Sequence, residues 1–454
     1  DSAAGAPAAQ TFAGQIGTSD NKMGTITVGT ADGNAGSAIF SSDVYATNLT
    51  INADNGADES STVSLSGSFT GTAITLNNDT GVAKLVVAGT NTTVAGTIDG
   101  AATGEGTLQI TGAGTTISGE VGIGTTDLAS IDVDATTTFS SATEAVAYTV
   151  DADTTFTGAV LANTGTTIAT SGTDVTLSAA SNTGTTTLAS GTTLTSAGVL
   201  TTGDITVTSG KLYLSENANV ADNILLAGTG ELHIGKAVAS GETINTGSTS
   251  DGNSFPTTAK VYLPSNLSSG ETVLWVDSGT WDADGVFNVT TSAAALDTIL
   301  QDTALVDYTA AGDTNTITIT ATNKSKATIA SELTVTSNTA TALLQAMAAV
   351  DANSASGDTA AFTAFDNAMN AQGGLTATDD TALAKQIAPQ TDLISGSSVA
   401  AQGVTGSLQG IMSNRMASLR SGDAYYGTGV AAGGMSAQSG FIQVFGSTAE
   451  QKST

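Results

Sequence analysis

Residues 85–94 read Leu-Val-Val-Ala-Gly-Thr-Asn-Thr-Thr-Val, and residues 108–117 read Leu-Gln-Ile-Thr-Gly-Ala-Gly-Thr-Thr-Ile. The pattern returns at 131–139 as Ile-Asp-Val-Asp-Ala-Thr-Thr-Thr-Phe, so the copies follow one another at intervals of 23 residues. Each copy contains an alternating apolar triplet and then a Thr-Thr-apolar triplet. Alternation with a period of two places the large side chains on one face of a β-strand. The unit therefore predicts short strands joined by turns.

Alternating triplets extend along the chain in both directions from these copies. Their apolar members are Leu49/Ile51, Val63/Leu65, Ile74/Leu76, Leu85/Val87, Leu108/Ile110, Ile131/Val133, Ile205/Val207, Leu212/Leu214, Ile224/Leu226 and Leu232/Ile234. The Thr-Thr-apolar series returns at 154–156, 166–168 and 192–194. Repeats of this length are typical of solenoids, because one unit is too small to bury a core alone. We predict an all-β fold, a parallel right-handed β-helix with threonine ladders outside. The alternatives are a series of immunoglobulin-like sandwiches and a low-complexity disordered chain.

The composition restricts the classes of partner. The chain has 41 acidic residues against 11 Lys and Arg, a net charge of −30. Phosphate binding needs clustered Lys and Arg, so we expect no nucleic acid, whereas divalent cations or basic partners fit the charge. The absence of cysteine excludes disulfides and thiolate metal sites. No run of about 20 apolar residues predicts a membrane-spanning helix.

Changes in composition predict five segments. Both tryptophans, Trp275 and Trp281, follow the repeats, and five of the six methionines lie beyond residue 340. The aromatic region is expected to cap the solenoid, because an open strand edge recruits other chains. The predicted segments are an N-terminal segment or cap (1–30), the solenoid (31–254), its C-terminal cap (255–340), a helical junction (341–420), and a linker with one barrel-like strand (421–454).

Three stretches beyond residue 340 carry a family pattern. They are Leu-Ala-Lys-Gln-Ile-Ala-Pro-Gln-Thr-Asp at 383–392, a predicted amphipathic helix at 404–420 that ends in Ser-Asn-Arg-Met-Ala-Ser-Leu-Arg (413–420), and Ser-Gly-Phe-Ile-Gln-Val-Phe-Gly-Ser at 439–447. Together they resemble the passenger-to-barrel junction of classical autotransporters, over about residues 340–450. Met416 stands where that family usually has Leu. Phe441-Ile442 stands where an aromatic pair is common.

The resemblance implies an exported passenger at the outer-membrane surface of a Gram-negative bacterium. Its own translocator barrel would be a partner, although the sequence ends just after the first barrel-like strand, through release of the passenger or truncation. A start at Asp1 without Met fits signal cleavage or a trimmed sequence. In the family the junction helix lies in the barrel pore, a role that would fall here to Ile411, Arg415, Leu419 and Arg420. The alternative for the two arginines is a solvated helix face.

His233 is the only histidine in the chain. It alternates with Leu232 and Ile234, so we expect it to face solvent from a strand. A Ser-His-Asp triad would have to use this residue, and a histidine-based zinc site is excluded. No Gly-x-Ser-x-Gly elbow surrounds any serine.

Pairs of carboxylates are the remaining chemical candidates. Spacing i, i+2 places both carboxylates on one face of a strand, as a glycosidase on a solenoid would require. The alternative is turn chemistry or solvated faces. The pairs are Asp132/Asp134, Asp151/Asp153 and Asp282/Asp284. A partial calcium-loop pattern occurs at Asp282-Ala-Asp284-Gly285, and an acidic loop contains Asp54, Asp58 and Glu59.

The expected function is therefore structural rather than enzymatic. We expect a cell-surface protein that forms a layer or filament, or an adhesin. Its partners would be further copies of itself or neighbouring surface molecules. No cofactor is expected, with Ca²⁺ as the one candidate. The alternative is a polysaccharide-degrading β-helix enzyme.

Overall fold

The computed structural model describes residues 8–30, 35–53, 60–78, 81–215, 218–220, 224–234, 243–246, 256–263, 270, 272–277, 289–313 and 316–353, with Gln409 and Ser413. Within these residues the chain forms a β-solenoid of mostly parallel strands with few helices, which confirms the predicted all-β parallel β-helix. The predicted segment boundaries stay predictions. None of the helices in these ranges is both long and apolar enough to cross a membrane.

The strands up to residue 196 are short and follow one another closely. They are β1 (Gln10–Phe12), β2 (Met23–Val28), β3 (Ser37–Phe40), β4 (Val44–Asn52), β5 (Ser61–Leu65), β6 (Phe69–Asn77), β7 (Ala83–Val87), β8 (Thr93–Gly100), β9 (Thr107–Ile110), β10 (Thr115–Ile117), β11 (Leu128–Val133), β12 (Thr137–Phe139), β13 (Thr143–Val150), β14 (Thr154–Phe156), β15 (Val160–Ile168), β16 (Asp174–Leu177), β17 (Ser181–Asn182), β18 (Thr185–Leu188) and β19 (Thr193–Ser196).

The second half continues the strands and adds helices. Its strands are β20 (Leu200–Thr202), β21 (Ile205–Thr208), β22 (Lys211–Leu214), β23 (Ala218–Val220), β24 (Ile224–Ala227), β25 (Glu231–Ile234), β26 (Thr243–Thr246), β27 (Lys260–Tyr262), β28 (Thr272–Asp277), β29 (Leu300–Gln301), β30 (Val306–Asp313) and β31 (Thr316–Asn323). The helices are α1 (Val289–Asp297), α2 (Lys326–Glu332) and α3 (Ser337–Asn353).

The strands up to β29 divide between two parallel stacks, and most successive strands alternate between them. The first stack runs β1, β3, β5, β7, β9, β11, β13 and β15, continues through β17/β18, β20/β21 and β23/β24, and ends with β26 and β28. The second runs β2, β4, β6, β8, β10, β12, β14, β16, β19, β22, β25, β27 and β29. Each strand thus pairs with strands of the turns before and after it, so the backbone polar groups of inner turns find partners.

The register of the first stack follows the sequence repeat. Leu85 pairs with Leu108, and Leu108 pairs with Ile131. In the second stack, β10 pairs with β12 and β12 with β14, so the Thr-Thr-apolar triplets also lie one on another. The apolar members of all the predicted alternating triplets are buried. Their side chains form one continuous core between the two stacks.

The triplet Thr166–Ile168 lies in the first stack and not in the second. The interpretation of Thr166–Ile168 as part of the Thr-Thr-apolar series is wrong, because these residues belong to β15 and pair with Tyr148–Val150 of the first stack. A register shift between Ala145 and Ala147 accompanies this pairing. The triplet predicts which side chains point inward, but the number of residues in each coil of the solenoid decides in which stack the triplet lies.

The threonines of these triplets divide between interior and surface. Thr116 and Thr138 are half-buried and Thr155 is exposed, on the outer face, as predicted. The preceding threonines, in contrast, are inside. Thr115 is 1% exposed, and its hydroxyl donates to the carbonyl of Gly112 at 2.6 Å. Thr137 and Thr154 do the same toward Ala135 and Ala152 at 2.7 and 2.8 Å. Buried threonines therefore satisfy carbonyl groups at the turns.

Antiparallel pairing follows the last parallel strand of the first stack. β31 pairs antiparallel with β28, β30 pairs antiparallel with β31, and α1 packs against β30. The Nζ of Lys324, after β31, lies 2.6 Å from a carboxylate oxygen of Glu332 in α2 and 3.5 Å from one of Asp307 in β30. This ion-pair group connects the hairpin to α2.

Candidate functional site

Three carboxylates meet on the outer face of the first stack, where β11 and β13 end. Asp132 alternates with the buried Ile131 and Val133, so its side chain points away from the core. Asp134 follows β11 directly, and Asp151 follows β13. One carboxylate oxygen from each aspartate lies within 4.8 Å of the others. We call Asp132, Asp134 and Asp151 the acidic cluster.

Neutral groups provide the hydrogen bonds around the acidic cluster. Nε2 of Gln109 donates to Oδ2 of Asp132 at 3.2 Å and to Oδ2 of Asp134 at 2.7 Å. The Thr170 hydroxyl donates to Oδ1 of Asp151 at 2.9 Å. These contacts hold the three carboxylates in place but do not neutralise them.

Burial and like charge raise the pKa of Asp132. Desolvation is the largest cause, and the charges of Asp134 and Asp151 add to it. The charge of Lys84 and the hydrogen bond from Gln109 act in the opposite direction. The raised pKa means that the ionised form of Asp132 is costly in this position. A cation bound beside it would reduce that cost.

The acidic cluster matches the sequence prediction only in part. Asp132 and Asp134 lie together as predicted, but Asp153 does not join them and accepts the backbone N–H of Asp174 at 2.9 Å. Asp151 enters instead, because Val133 pairs with Val150 and the residues that follow both strands become neighbours. The register between β11 and β13 would have predicted this neighbour, but the sequence shows only the i, i+2 spacing.

Other predicted positions lie outside the described residues. They are Asp54, Asp58, Glu59, Asp282, Asp284 and Gly285, together with the junction residues Ile411, Arg415, Leu419 and Arg420.

Two chemistries fit the acidic cluster. Carboxylate oxygens are the ligands that Ca²⁺ prefers, and Asp132, Asp134 and Asp151 are the residues that would hold it. Carboxylates that are close together, one with a raised pKa, are also what a retaining glycosidase uses as acid and nucleophile, at about 5 Å. Among the described residues this is the one group of three such side chains within reach of a single ion.

The structure corrects the prediction that His233 faces solvent. It lies on the outer face of β25, as the alternation indicates, but only 4% of it is exposed. Its ring is stacked between Tyr213 of β22 and Tyr262 of β27, with ring centroids 4.1 and 4.4 Å away. The expectation of a solvent-facing histidine is therefore wrong, because aromatic rings on the neighbouring strands of the stack, its neighbouring rungs, cover both of its faces.

The comparisons with known proteins returned no relative. No family model, no curated protein and no solved structure matches this chain.

Proposed function

We propose that this chain is a structural component of a bacterial cell surface. In this proposal it is exported as an autotransporter passenger to the surface of a Gram-negative bacterium, where it forms a layer or filament or mediates adhesion. The observation that carries the proposal is the unbroken parallel pairing of the first stack from β1 to β28 over one continuous core. Such stacking produces a stiff, elongated body without disulfides, and such a body is suited to a scaffold.

The charge of the chain sets a condition for assembly. Copies with a net charge of −30 repel one another when they pack side by side. The acidic cluster concentrates part of that charge on an outer face. Divalent cations shared between carboxylates of neighbouring copies would remove the repulsion, so we propose that assembly depends on Ca²⁺.

Electron microscopy of the purified full chain with and without Ca²⁺ tests the proposal. We expect ordered sheets or filaments with Ca²⁺ and separate rods after chelation. The triple variant Asp132→Asn, Asp134→Asn, Asp151→Asn should lose the response to Ca²⁺, whereas the control Asp153→Asn should keep it. Separate molecules under both conditions would count against assembly and leave adhesion.

A second candidate function rests on the acidic cluster itself. Its grouped carboxylates are the groups that a polysaccharide-degrading enzyme would use. A screen for hydrolysis of acidic glycans would detect it. Activity that disappears in Asp132→Ala and in Asp151→Ala, but persists in Asp153→Ala, would replace the structural proposal.

A further inference from the structure

Three aromatic rings form a ladder on the outer face of the second stack. Tyr213, His233 and Tyr262 are register partners on β22, β25 and β27. The planes of the paired rings differ by 19° and 15°. Although the ladder lies on the outside of the solenoid, its central imidazole is almost completely shielded from water.

A charged row runs beside the ladder, two residues earlier on each strand. Lys211, Glu231 and Lys260 occupy equivalent positions on β22, β25 and β27. The Nζ of Lys211 lies 3.4 Å from Oε2 of Glu231, and Nε2 of His233 lies 3.0 Å from the same oxygen. In the described residues of these three strands, the titratable groups facing His233 are therefore Glu231, the two lysines and the two tyrosines.

The contact with Glu231 fixes where a further proton must go. A carboxylate only accepts hydrogen bonds, so Nε2 carries the proton of the neutral imidazole. Protonation then occurs at Nδ1 and places a charge on a ring that is only 4% exposed, so the charge is removed from water. Burial, the largest cause, lowers the pKa of His233, and Lys211 adds to this, while the hydrogen bond and charge of Glu231 act against it.

We propose that His233 is an acid-sensitive device, whose protonation weakens the pairing of β25 with β22 and β27. The folded state disfavours the protonated ring. The stabilising contribution of the neutral His233 ring is therefore complete above the unfolded pKa of about 6.5. It is lost as the pH falls through that value toward the lower folded one. The rungs that precede the antiparallel end of the solenoid would then open in mild acid, independently of the proposed surface function.

The matched variant is His233→Tyr, which keeps a ring in the ladder but does not titrate in mild acid. Amide hydrogen exchange of the full chain is compared between wild type and variant at the same pH, so that intrinsic exchange rates cancel. At about pH 7.5 we expect equal exchange at residues 211–214 and 231–234. At about pH 5 we expect faster exchange in the wild type, approaching tenfold for each unit by which folding lowers the pKa.

Residues 107–117 are the internal control and should exchange alike in both proteins at both pH values. Equal exchange at 231–234 at about pH 5, or slower exchange in the wild type, would overturn the proposal. If the variant does not fold, the wild type provides a second test, because its single histidine gives one set of imidazole NMR signals. Its titration midpoint should lie below that of the urea-unfolded chain; an equal or higher midpoint would also overturn the proposal.

Discussion

Phe139 and Phe156 stack face to face on successive rungs, with ring centroids 4.7 Å apart and planes 7° from parallel. They are register partners of β12 and β14, and both are buried. The contact shows how this core is built, since like side chains lie above one another at the strand spacing. The ring of Phe156 also meets the facing stack, where Tyr148 of β13 lies edge-on to it with centroids 6.1 Å apart.

Phe139→Ala is expected to destabilise the protein by about 3–5 kcal/mol, because it removes a buried ring and leaves a cavity between rungs. The control Thr138→Ala changes the outward neighbour on the same strand and should cost less than about 0.5 kcal/mol. Urea unfolding followed by circular dichroism measures both. Equal effects of the two substitutions would show that β12 does not face the core as described.

Thr115→Val tests the buried hydroxyls at the turns. The change preserves shape but removes the donor to the Gly112 carbonyl, so we expect a loss of about 1–3 kcal/mol. Thr116→Val, on the outer face, should be close to neutral. Thermal unfolding of the two variants gives the comparison, and a stabilising Thr115→Val would contradict the assigned hydrogen bond.

Gly106 is required by both its conformation and its surroundings. Its φ is +81°, and a Cβ at this position would collide with the side chain of Leu76. Gly106→Ala should therefore cost roughly 1–3 kcal/mol or more. Gly14→Ala is the control, since a Cβ there meets nothing within 4 Å. If both variants unfold at the wild-type temperature, the close approach of Gly106 to Leu76 is wrong.

Asp132→Asn should stabilise the protein near neutral pH. Because the folded pKa of Asp132 is raised, ionisation opposes folding as the pH rises above the unfolded value near 3.9. The gain should therefore vanish below that pH, where the wild-type carboxyl is protonated in both states. Unfolding curves at several pH values measure it. Asp153→Asn should show no such gain, since that carboxylate accepts a backbone N–H instead.

The sequence predicts the core better than the surface. Alternating triplets such as Leu85/Val87 and Leu108/Ile110 identify buried residues, because strand geometry alone decides which side chains point inward. What the sequence does not show is the number of residues in each coil of the solenoid. The spacing between register partners falls from 23 residues between Leu108 and Ile131 to 17 between Ile131 and Tyr148. The next partner in the first stack is Thr166, 18 residues after Tyr148, so Thr166–Ile168 lies in that stack.

The acidic cluster and the aromatic ladder differ in how far the sequence could predict them. Asp151 joins Asp132 through pairing between rungs, which no local spacing reveals. The shielding of His233 does have a sequence signal, because Lys-Leu-Tyr at 211–213, Glu-Leu-His at 231–233 and Lys-Val-Tyr at 260–262 share one pattern. Aligning these triplets predicts a ladder of rings, whereas reading His233 alone predicts exposure.

Paired cysteine substitutions test the stacked register most directly, because the chain contains no cysteine of its own. Thr116 and Thr138 are register partners on adjacent rungs, whereas Thr116 and Thr155 lie two rungs apart. Adjacent strands lie about 4.8 Å apart, within disulfide reach, and strands two rungs apart lie roughly 9.6 Å apart, beyond it. We expect oxidation to link Thr116→Cys to Thr138→Cys and to leave Thr116→Cys with Thr155→Cys open, as measured by intact mass. Linkage of the distant pair but not of the adjacent one would contradict the stacked solenoid.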